Sequence, residues 1–507
     1  CGAIQFSKFF GPGFSVLPEP GCFISYTIAR LNTGPQAFLT RPCRGRKTSG
    51  EIMYIGKYKV TGLLGTGGMG RVYKAQLPEI NKTVALKRLC PRPHMMQLLG
   101  NKTIEKMFMD ETRILADLRH PHIAAILDFD RDREGRPFFT MEYHCVNLGD
   151  MTGEHYIMET PTRSLPPERA AGYLRQVLSG LGRLHDAGII HRDVKPYNML
   201  ISESDQVRII DFGLSLLRGE TRGVPEQFKI GTPYYAAPEQ EADPDGVDER
   251  ADIYGAGVLA WRMLTGYLPP DHGEKPVPGE INPLLGQCWD DFLLCATHPK
   301  PYRRFPDCQK MTAALDRAFE SWRQTLEKTC RMQEVPTVGR ASDADYSQPV
   351  RSIPVKVSLS AAKRRFGLDA LWRPASRRIP EFVVCDDHTV RDKTHGRLWQ
   401  KTGSPWPVEW SGARQYIDSL NARAFGGVQN WRLPTVDELV LLLFPVSVLG
   451  DYCTPPVFSG DIHRLWSADR KSFVAAWFVD TSLGYAGAAD FTCQCHVRAV
   501  SDCPPYG

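Results

Sequence analysis

Hydrophobic positions change their period along the chain, and the changes mark out its parts. From Ile55 apolar residues recur through Tyr58, Val60, Leu63 and Leu64 in a β-like pattern, which predicts strands with one buried face. Strands are predicted again over Val84–Lys87 and from Phe138 to Tyr143, the latter ending in a turn. Between them, Lys106–Leu118 carries apolar residues at helical spacing, with Glu111 placed off that stripe. Tyr173, Leu174, Val177, Leu178, Leu181 and Leu184 repeat at three and four residues and predict a buried helix, followed by a β-rich run over Val207–Ile210. The pattern lapses twice. Residues 1–52 show no sustained period and read as a disordered leader, and Met53 stands where a natural chain could start. Residues 327–379 are rich in Ser, Arg, Lys and Pro, with basic clusters at Lys363–Arg365 and Arg377–Arg378, and read as a basic disordered linker.

After Phe382 the aromatic content rises, with Trp399, Trp406, Trp410, Trp431, Trp466 and Trp477. Thr389–Lys401 predicts a hairpin. Trp410–Phe425 predicts a helix with Ala413, Tyr416, Ile417, Leu420 and Ala424 on one face, and strands are expected over Ala475–Val479 and His496–Val500. These tryptophans are expected in the core, and Arg432 is expected to stack or pair structurally beside Trp431.

Composition adds limits. At 507 residues the chain has room for two to four domains, and a net charge of +5 argues against a dedicated nucleic-acid binder. Fourteen cysteines without a short repeated spacing indicate neither a disulfide framework nor a zinc array, so reduced thiols in a cytoplasm are expected. Cys493 and Cys495 are expected to be structural residues on one face of a strand. No run of 18 apolar residues occurs, so no transmembrane segment is predicted and the chain reads as soluble.

The chemistry lies on loops. His191-Arg192-Asp193-Val194-Lys195-Pro196-Tyr197-Asn198 follows the buried helix, and Asp211-Phe212-Gly213 ends the next strand. Two carboxylates and an amide at such offsets suit phosphoryl transfer: one carboxylate orients an attacking hydroxyl, while the amide and the second carboxylate hold Mg²⁺. Gly65-Thr66-Gly67-Gly68-Met69-Gly70-Arg71-Val72 lies between two strands, where glycines let backbone N–H groups approach phosphates. Lys87 closes the strand that follows, at the end of Val84-Ala85-Leu86.

Together these motifs resemble the eukaryotic-type (Hanks-type) serine/threonine protein kinases, in particular their bacterial members. The resemblance implies a kinase domain over 55–326 and a non-specific serine/threonine protein kinase that uses ATP and Mg²⁺ on protein substrates. It implies Asp193 as the catalytic base, Lys195 as the group that stabilises the transferred phosphoryl, and Asn198 and Asp211 as metal holders. Lys87 would hold phosphates with Glu111 behind it. Leu64, Gly65, Thr66, Gly67, Gly68, Met69, Gly70, Val72 and Ala85 would line the nucleotide, with Met141, Glu142 and Tyr143 at the hinge. His191 and Phe212 would stack on Leu115. Asp252 would anchor the backbone of the catalytic loop, and Arg304 would pair with Glu239. Arg192 implies an activation loop organised by phosphate, with Thr221 or else Ser215 as the autophosphorylation site and Thr232 beside Asp193 and Lys195. The polar stretch from Gly149 to Pro166 is longer than the compact family pattern and reads as a mobile loop.

Leu398-Trp399-Gln400-Lys401, Trp431-Arg432-Leu433-Pro434-Thr435 and Trp466-Ser467 resemble the bacterial DUF1566, or Lcl C-terminal, family over 380–503. That family is distantly similar to C-type lectin and formylglycine-generating-enzyme folds. The expected fold class is therefore α+β, a two-lobed kinase fold plus a C-terminal mixed α/β C-type-lectin-like domain that binds a ligand or protein partner. The competing reading is a pseudokinase scaffold, or a chain whose principal output is binding by the C-terminal module.

Overall fold

Alternation of apolar and polar residues builds the first sheet. Strands β1 (Tyr54–Ile55), β2 (Tyr58–Thr66), β3 (Gly70–Leu77), β4 (Lys82–Leu89), β5 (Ile126–Arg131) and β6 (Pro137–Glu142) pair antiparallel in the order β1-β2-β3-β4-β6-β5. Tyr73 and Ala75 of β3, Val84 and Leu86 of β4 and Phe138 of β6 form one apolar cluster with Ile55 and Tyr58. Residues of opposite parity, Ala85, Phe139 and Met141, belong to the main core instead. There helix α2 (Asn101–Asp117), preceded by α1 (Pro93–Leu99), lays Phe108 against Phe139 with ring centroids 5.5 Å apart. The computed structural model describes residues 52–67, 69–154, 160–211, 216–217, 234–244, 246–270, 276–330, 350–376, 380–445, 452–458 and 462–502. The expected leader up to Glu51 lies outside the described residues, as do Gly68, Phe212, Ser215, Thr221 and Thr232.

The buried face of α2 corrects one expectation. Ile104, Phe108, Glu111 and Leu115 are all buried along it, and Glu111 is only 2% exposed. Glu111 follows Phe108 by three residues and precedes Leu115 by four, so it sits on the stripe rather than beside it. A carboxylate is tolerated there because it is paired.

The large lobe gathers around the helix Pro167–Asp186, whose periodic residues from Tyr173 to Leu184 are buried as the spacing predicts. Beside it the helix Arg250–Thr265 is buried nearly all round, as a helix in the middle of a core must be. Its Gly257 allows close contact: a Cβ there would lie 2.7 Å from Cβ of Ala296 on the helix Gln287–Ala296. The helix ends on Gly266, whose φ of 78° is the left-handed conformation that glycine adopts without strain. The last helix of this lobe runs over Cys308–Cys330, past the expected end at 326.

The described part of the expected linker is structured. Residues 350–376 contain the helix Leu359–Phe366, and Val357, Ala362, Phe366 and Leu368 join the C-terminal core. Phe366 meets Trp477 edge-on at 5.3 Å, and Trp372 stacks on the same indole at 5.8 Å. Of the basic residues that suggested a solvated tether, Arg364 and Arg365 are exposed and Lys363 donates to the Ala370 carbonyl at 2.8 Å; nearer the start of the segment, Arg351 pairs with Asp469 at 2.8 Å and with Asp437. The polar stretch after Gly149 is likewise anchored where it is described. Glu154 pairs with Arg262 at 3.1 Å, and Arg163 is buried.

The C-terminal module has a four-stranded sheet of Phe382–Val384, Thr389–Asp392, Arg397–Gln400 and Val500–Asp502, in that order. The hairpin expected over Thr389–Lys401 supplies its centre, with Val390 opposite Trp399. A three-stranded sheet joins Arg464–Arg470, Ala475–Asp480 and Tyr485–Asp490. The helix Trp410–Ala422 buries Ala413, Ile417 and Leu420. Trp399, Trp410, Trp431, Trp466 and Trp477 are core residues, whereas Trp406 is 75% exposed. Arg432 pairs with Glu438 and Asp502 at 2.7 and 2.9 Å. Glu438 also closes a capping box with Thr435 at the start of the helix Val436–Leu439.

Candidate functional site: the cleft between the lobes

The cleft is assembled by short connections. The pair of strands Met199–Ile201 and Val207–Ile209 holds the loop after Ile190 on one side and Asp211 on the other. Asp252, buried at the start of the central helix, accepts the backbone N–H of His191 and of Arg192, each at 2.8 Å. It also contacts His185 Nε2 at 2.8 Å. Held by this anchor, Arg192 has a φ of 65°, and Asp211 has a φ of 67°, left-handed conformations that non-glycine residues uncommonly adopt. His191 Nε2 reaches the carbonyl of Ile210 at 3.2 Å, which ties the two loops together.

Side chains then converge. Lys87 Nζ donates to Glu111 Oε1 at 2.6 Å and to Asp211 Oδ1 at 2.9 Å. Burial alone would lower the Lys87 pKa, but Asp211 and Glu111 outweigh it and hold the ammonium above its ordinary range. The same Lys87 charge, against the opposing effect of burial, depresses the Asp211 carboxyl to about 2, with Lys195 and His191 adding to the effect. Lys195 Nζ lies 2.6 Å from Asp193 Oδ2. Asn198 Nδ2 donates to the Asp193 carbonyl and carboxylate at 2.8 and 3.0 Å, and Ile210 N–H donates to the Asn198 carbonyl at 3.0 Å. Lys87, Asp193, Lys195, Asn198 and Asp211 thus belong to one set of contacts spread over two loops and a strand.

The roof of the cleft is the β2–β3 hairpin. Gly65 pairs with Val72 and Thr66 with Arg71, while Gly67 N–H donates to Gly70 O at 2.9 Å. A Cβ on Gly70 would fall 2.6 Å from the Arg88 carbonyl, so β4 leaves no room for a side chain there. At Gly65 nothing lies within 4 Å of that position, which leaves open space above the cleft. Val84 pairs with Glu142 and Ala85 with Met141 at the expected hinge. Arg304 grips Glu239 through two bonds, at 2.6 and 2.8 Å.

The donors suit a hard cation bound together with phosphate. Asp211 offers a carboxylate, and Asn198, its amide nitrogen committed to Asp193, offers an amide oxygen. Oxygen ligands in such small number match Mg²⁺, which is ordinarily completed by phosphates and water. Among the described residues no group of three or more His, Cys, Asp or Glu forms a metal cluster of its own.

Some contacts at this site had no signal that sequence reasoning used. Lys74 of β3 is buried and donates to Asp490 Oδ1 at 2.6 Å and to Thr492 Oγ1. Its ammonium lies 4.8 Å from the ring of Tyr143, just past β6 at the expected hinge. Burial, with Asp490 adding to it, pushes the Tyr143 phenol up to about 12. Cys145, two residues along, is disulfide-bonded to Cys493 across a Cα–Cα distance of 5.7 Å. This overturns the expectation of reduced thiols for that pair, and Cys493 lies in a bend rather than a strand. The parity of β3 offered a hint, since Lys74 shares a face with Val72.

A two-lobed α+β fold with a lysine–glutamate pair, a glycine hairpin and this loop constellation in one cleft defines the protein kinase class. The chain belongs to that family: the protein kinase domain model matches residues 58–329, and the Lcl C-terminal domain model matches 388–501. It is 35% identical over 279 residues to serine/threonine-protein kinase pkn3 of Myxococcus xanthus, covering 52% of this chain and 46% of that protein. It is 28% identical over 291 residues to serine/threonine-protein kinase PrkC of Bacillus subtilis, covering 55% of this chain and 43% of that protein. The chain therefore spans less than half the length of these relatives. A crystal structure of the Mycobacterium tuberculosis PknI kinase domain matches with 26% identity and a TM-score of 0.40, covering 52% of this chain and 97% of that one. The family uses ATP and magnesium on protein substrates. No helix among the described residues is long and apolar enough to cross a membrane.

Proposed function

We propose that this chain transfers the γ-phosphoryl group of ATP to serine or threonine hydroxyls of proteins. The observation that carries the reading is Lys87, held between Glu111 and Asp211 while Asn198 is fastened to Asp193. MgATP, when bound, supplies the transferable group and a leaving diphosphate whose charge the metal offsets. The chain's own residues do the rest. Lys87, fixed by Glu111, pairs with the inner phosphates; Asp211 and Asn198 Oδ1 hold the cation; and the Gly65–Gly70 hairpin covers the phosphates with backbone N–H groups. Asp193 Oδ2 accepts and orients the proton of the attacking hydroxyl. Lys195, already beside that oxygen, neutralises charge on the equatorial oxygens of the transferring group.

Thr221, or else Ser215, is the proposed autophosphorylation site, and the C-terminal module is a ligand- or partner-binding unit that governs the kinase. The need for ATP favours the cytoplasm as the compartment of this activity. The experiment is γ-phosphate transfer to a generic protein acceptor by wild type, Lys87→Met and Asp193→Ala. Transfer by wild type alone supports the reading. Transfer by none of them, from folded protein, leaves a binding scaffold.

A further inference from the structure

The C-terminal module touches both kinase lobes on the hinge side. It meets the small lobe through Lys74, which donates to Asp490 and Thr492. It meets the large lobe through Arg163, which donates to the Leu371 carbonyl at 2.7 Å and lies 3.7 Å from the centre of the Tyr485 ring. Arg169 donates to Ser482 Oγ at 3.0 Å. Between these points the Cys145–Cys493 disulfide ties the module to the chain just past the hinge, joining residues 348 apart in sequence. Opening the cleft requires the lobes to rotate about residues 141–145. A body bonded to both lobes and to the hinge resists that rotation.

We propose that Cys145–Cys493 is a redox-modification site: oxidised, it latches the C-terminal module across the hinge and slows nucleotide release, and reduced, it lets the module lift and the cleft open. The latch rests on the kinase reading for its effect on nucleotide, but not for its existence.

Two observations support the site beyond the bond itself. First, Cys145 and Cys493 line a cavity of about 170 Å³ between the modules, together with Arg169, Arg464, Cys495 and His496. A small thiol can approach the disulfide from that space. Second, Cys495 lines the same cavity as a free thiol, and attack by it would only exchange one disulfide for another, with no net reduction. The electrons must come from outside. The donor is a dithiol reductant: one thiolate attacks a sulfur of the pair, a mixed disulfide forms, and the second thiol resolves it. Two electrons and two protons pass to Cys145 and Cys493, and the reductant leaves as its own disulfide.

The test uses the full chain prepared without reductant, then treated or not treated with dithiothreitol, alongside Cys145→Ser and a control Cys385→Ser at an exposed free cysteine. Thiol alkylation with peptide mapping reads the bond. Hydrogen exchange over 141–146 and 485–495 reads docking, and release of a fluorescent ADP analogue reads the cleft. In wild type and Cys385→Ser, dithiothreitol should expose both thiols, raise exchange in both segments and speed ADP release severalfold. Cys145→Ser should start in the fast state and ignore the reductant. Alkylation of Cys145 and Cys493 even after treatment with a disulfide oxidant would overturn the proposal. So would exchange and release rates that are the same in the oxidised and reduced protein. If no nucleotide binds at all, the kinase reading fails, and alkylation and exchange still decide whether the latch exists.

Discussion

Lys74 of the glycine-hairpin strand and Asp490 of the C-terminal module form a 2.6 Å ion pair across 416 residues of sequence. The two ends are unequally sheltered: the lysine side chain is 8% exposed and the aspartate 32%. Removing the aspartate strands a buried ammonium, whereas removing the charge from the lysine frees a partly wetted carboxylate. Asp490→Asn should therefore cost about 2 kcal/mol, and Lys74→Met, which keeps the stem packed on Tyr143, clearly less. Denaturant unfolding of the two variants measures the order; equal costs would contradict it.

Glu111 sits on the buried stripe of α2 only because Lys87 meets it. Glu111→Gln preserves the shape and removes the charge, leaving Lys87 to lean on Asp211 alone. A misplaced phosphate-binding group costs about 100-fold in kcat/KM, while the helix stays folded. Phosphate-transfer kinetics with circular dichroism as control will show it. A variant within twofold of wild type would mean that the pair is ornamental.

The segment 350–376 belongs to the C-terminal fold, so a core residue there should behave like one. Phe366→Ala removes the ring that packs edge-on against Trp477 and should destabilise the module by about 3 kcal/mol. Urea unfolding followed by tryptophan fluorescence is the measurement. An unchanged midpoint would restore the flexible tether.

Acid should weaken the protein in two steps. Burial lowers the pKa of His120, His122, His144 and His496 below the usual 6.5. Between the unfolded and folded values the unfolded chain binds more protons, so stability falls as pH drops through 6.5 toward the lower folded values. A second loss comes from carboxylates held below 3.8. Burial opposes their ionisation but is outweighed by Arg169 and Tyr173 at Asp205, by His185 and backbone N–H groups at Asp252, and by Arg432 at Asp502. Their contribution is complete above 3.8 and is lost as pH falls through the folded values. Thermal unfolding from pH 8 to 3 at fixed salt should show a shallow decline beginning near 6.5 and a steeper one below 4. A protein that gains stability from pH 7 to 5 would contradict this.

The kinase half was legible because its chemistry is written locally. Asp193, Lys195 and Asn198 share one eight-residue loop, and Asp211 follows a strand soon after, so the match of these motifs to the protein kinase pattern implied one cleft. Glu111 was misread because its charge was taken to exclude it from a stripe whose spacing includes it. In 350–376 the arginines and lysines masked Val357, Phe366 and Trp372, which composition cannot show to be core. The strand Tyr485–Asp490 was missed because Tyr-Ala-Gly-Ala-Ala-Asp has little intrinsic β preference; pairing with Ala475–Asp480 makes it a strand. Lys74–Asp490 and Cys145–Cys493 join positions hundreds of residues apart. No local pattern announces such a contact.

One paired measurement tests the central claim most directly: MgATP affinity by calorimetry and γ-phosphate transfer, on wild type, Asp193→Asn and Asp211→Asn. If one cleft holds the nucleotide and divides the labour as derived, Asp193→Asn keeps its affinity within about threefold and loses transfer by about 10³-fold or more. Asp211→Asn should lose the magnesium-dependent part of binding as well as transfer. Transfer undiminished in Asp193→Asn, or MgATP affinity untouched in Asp211→Asn, would contradict the account.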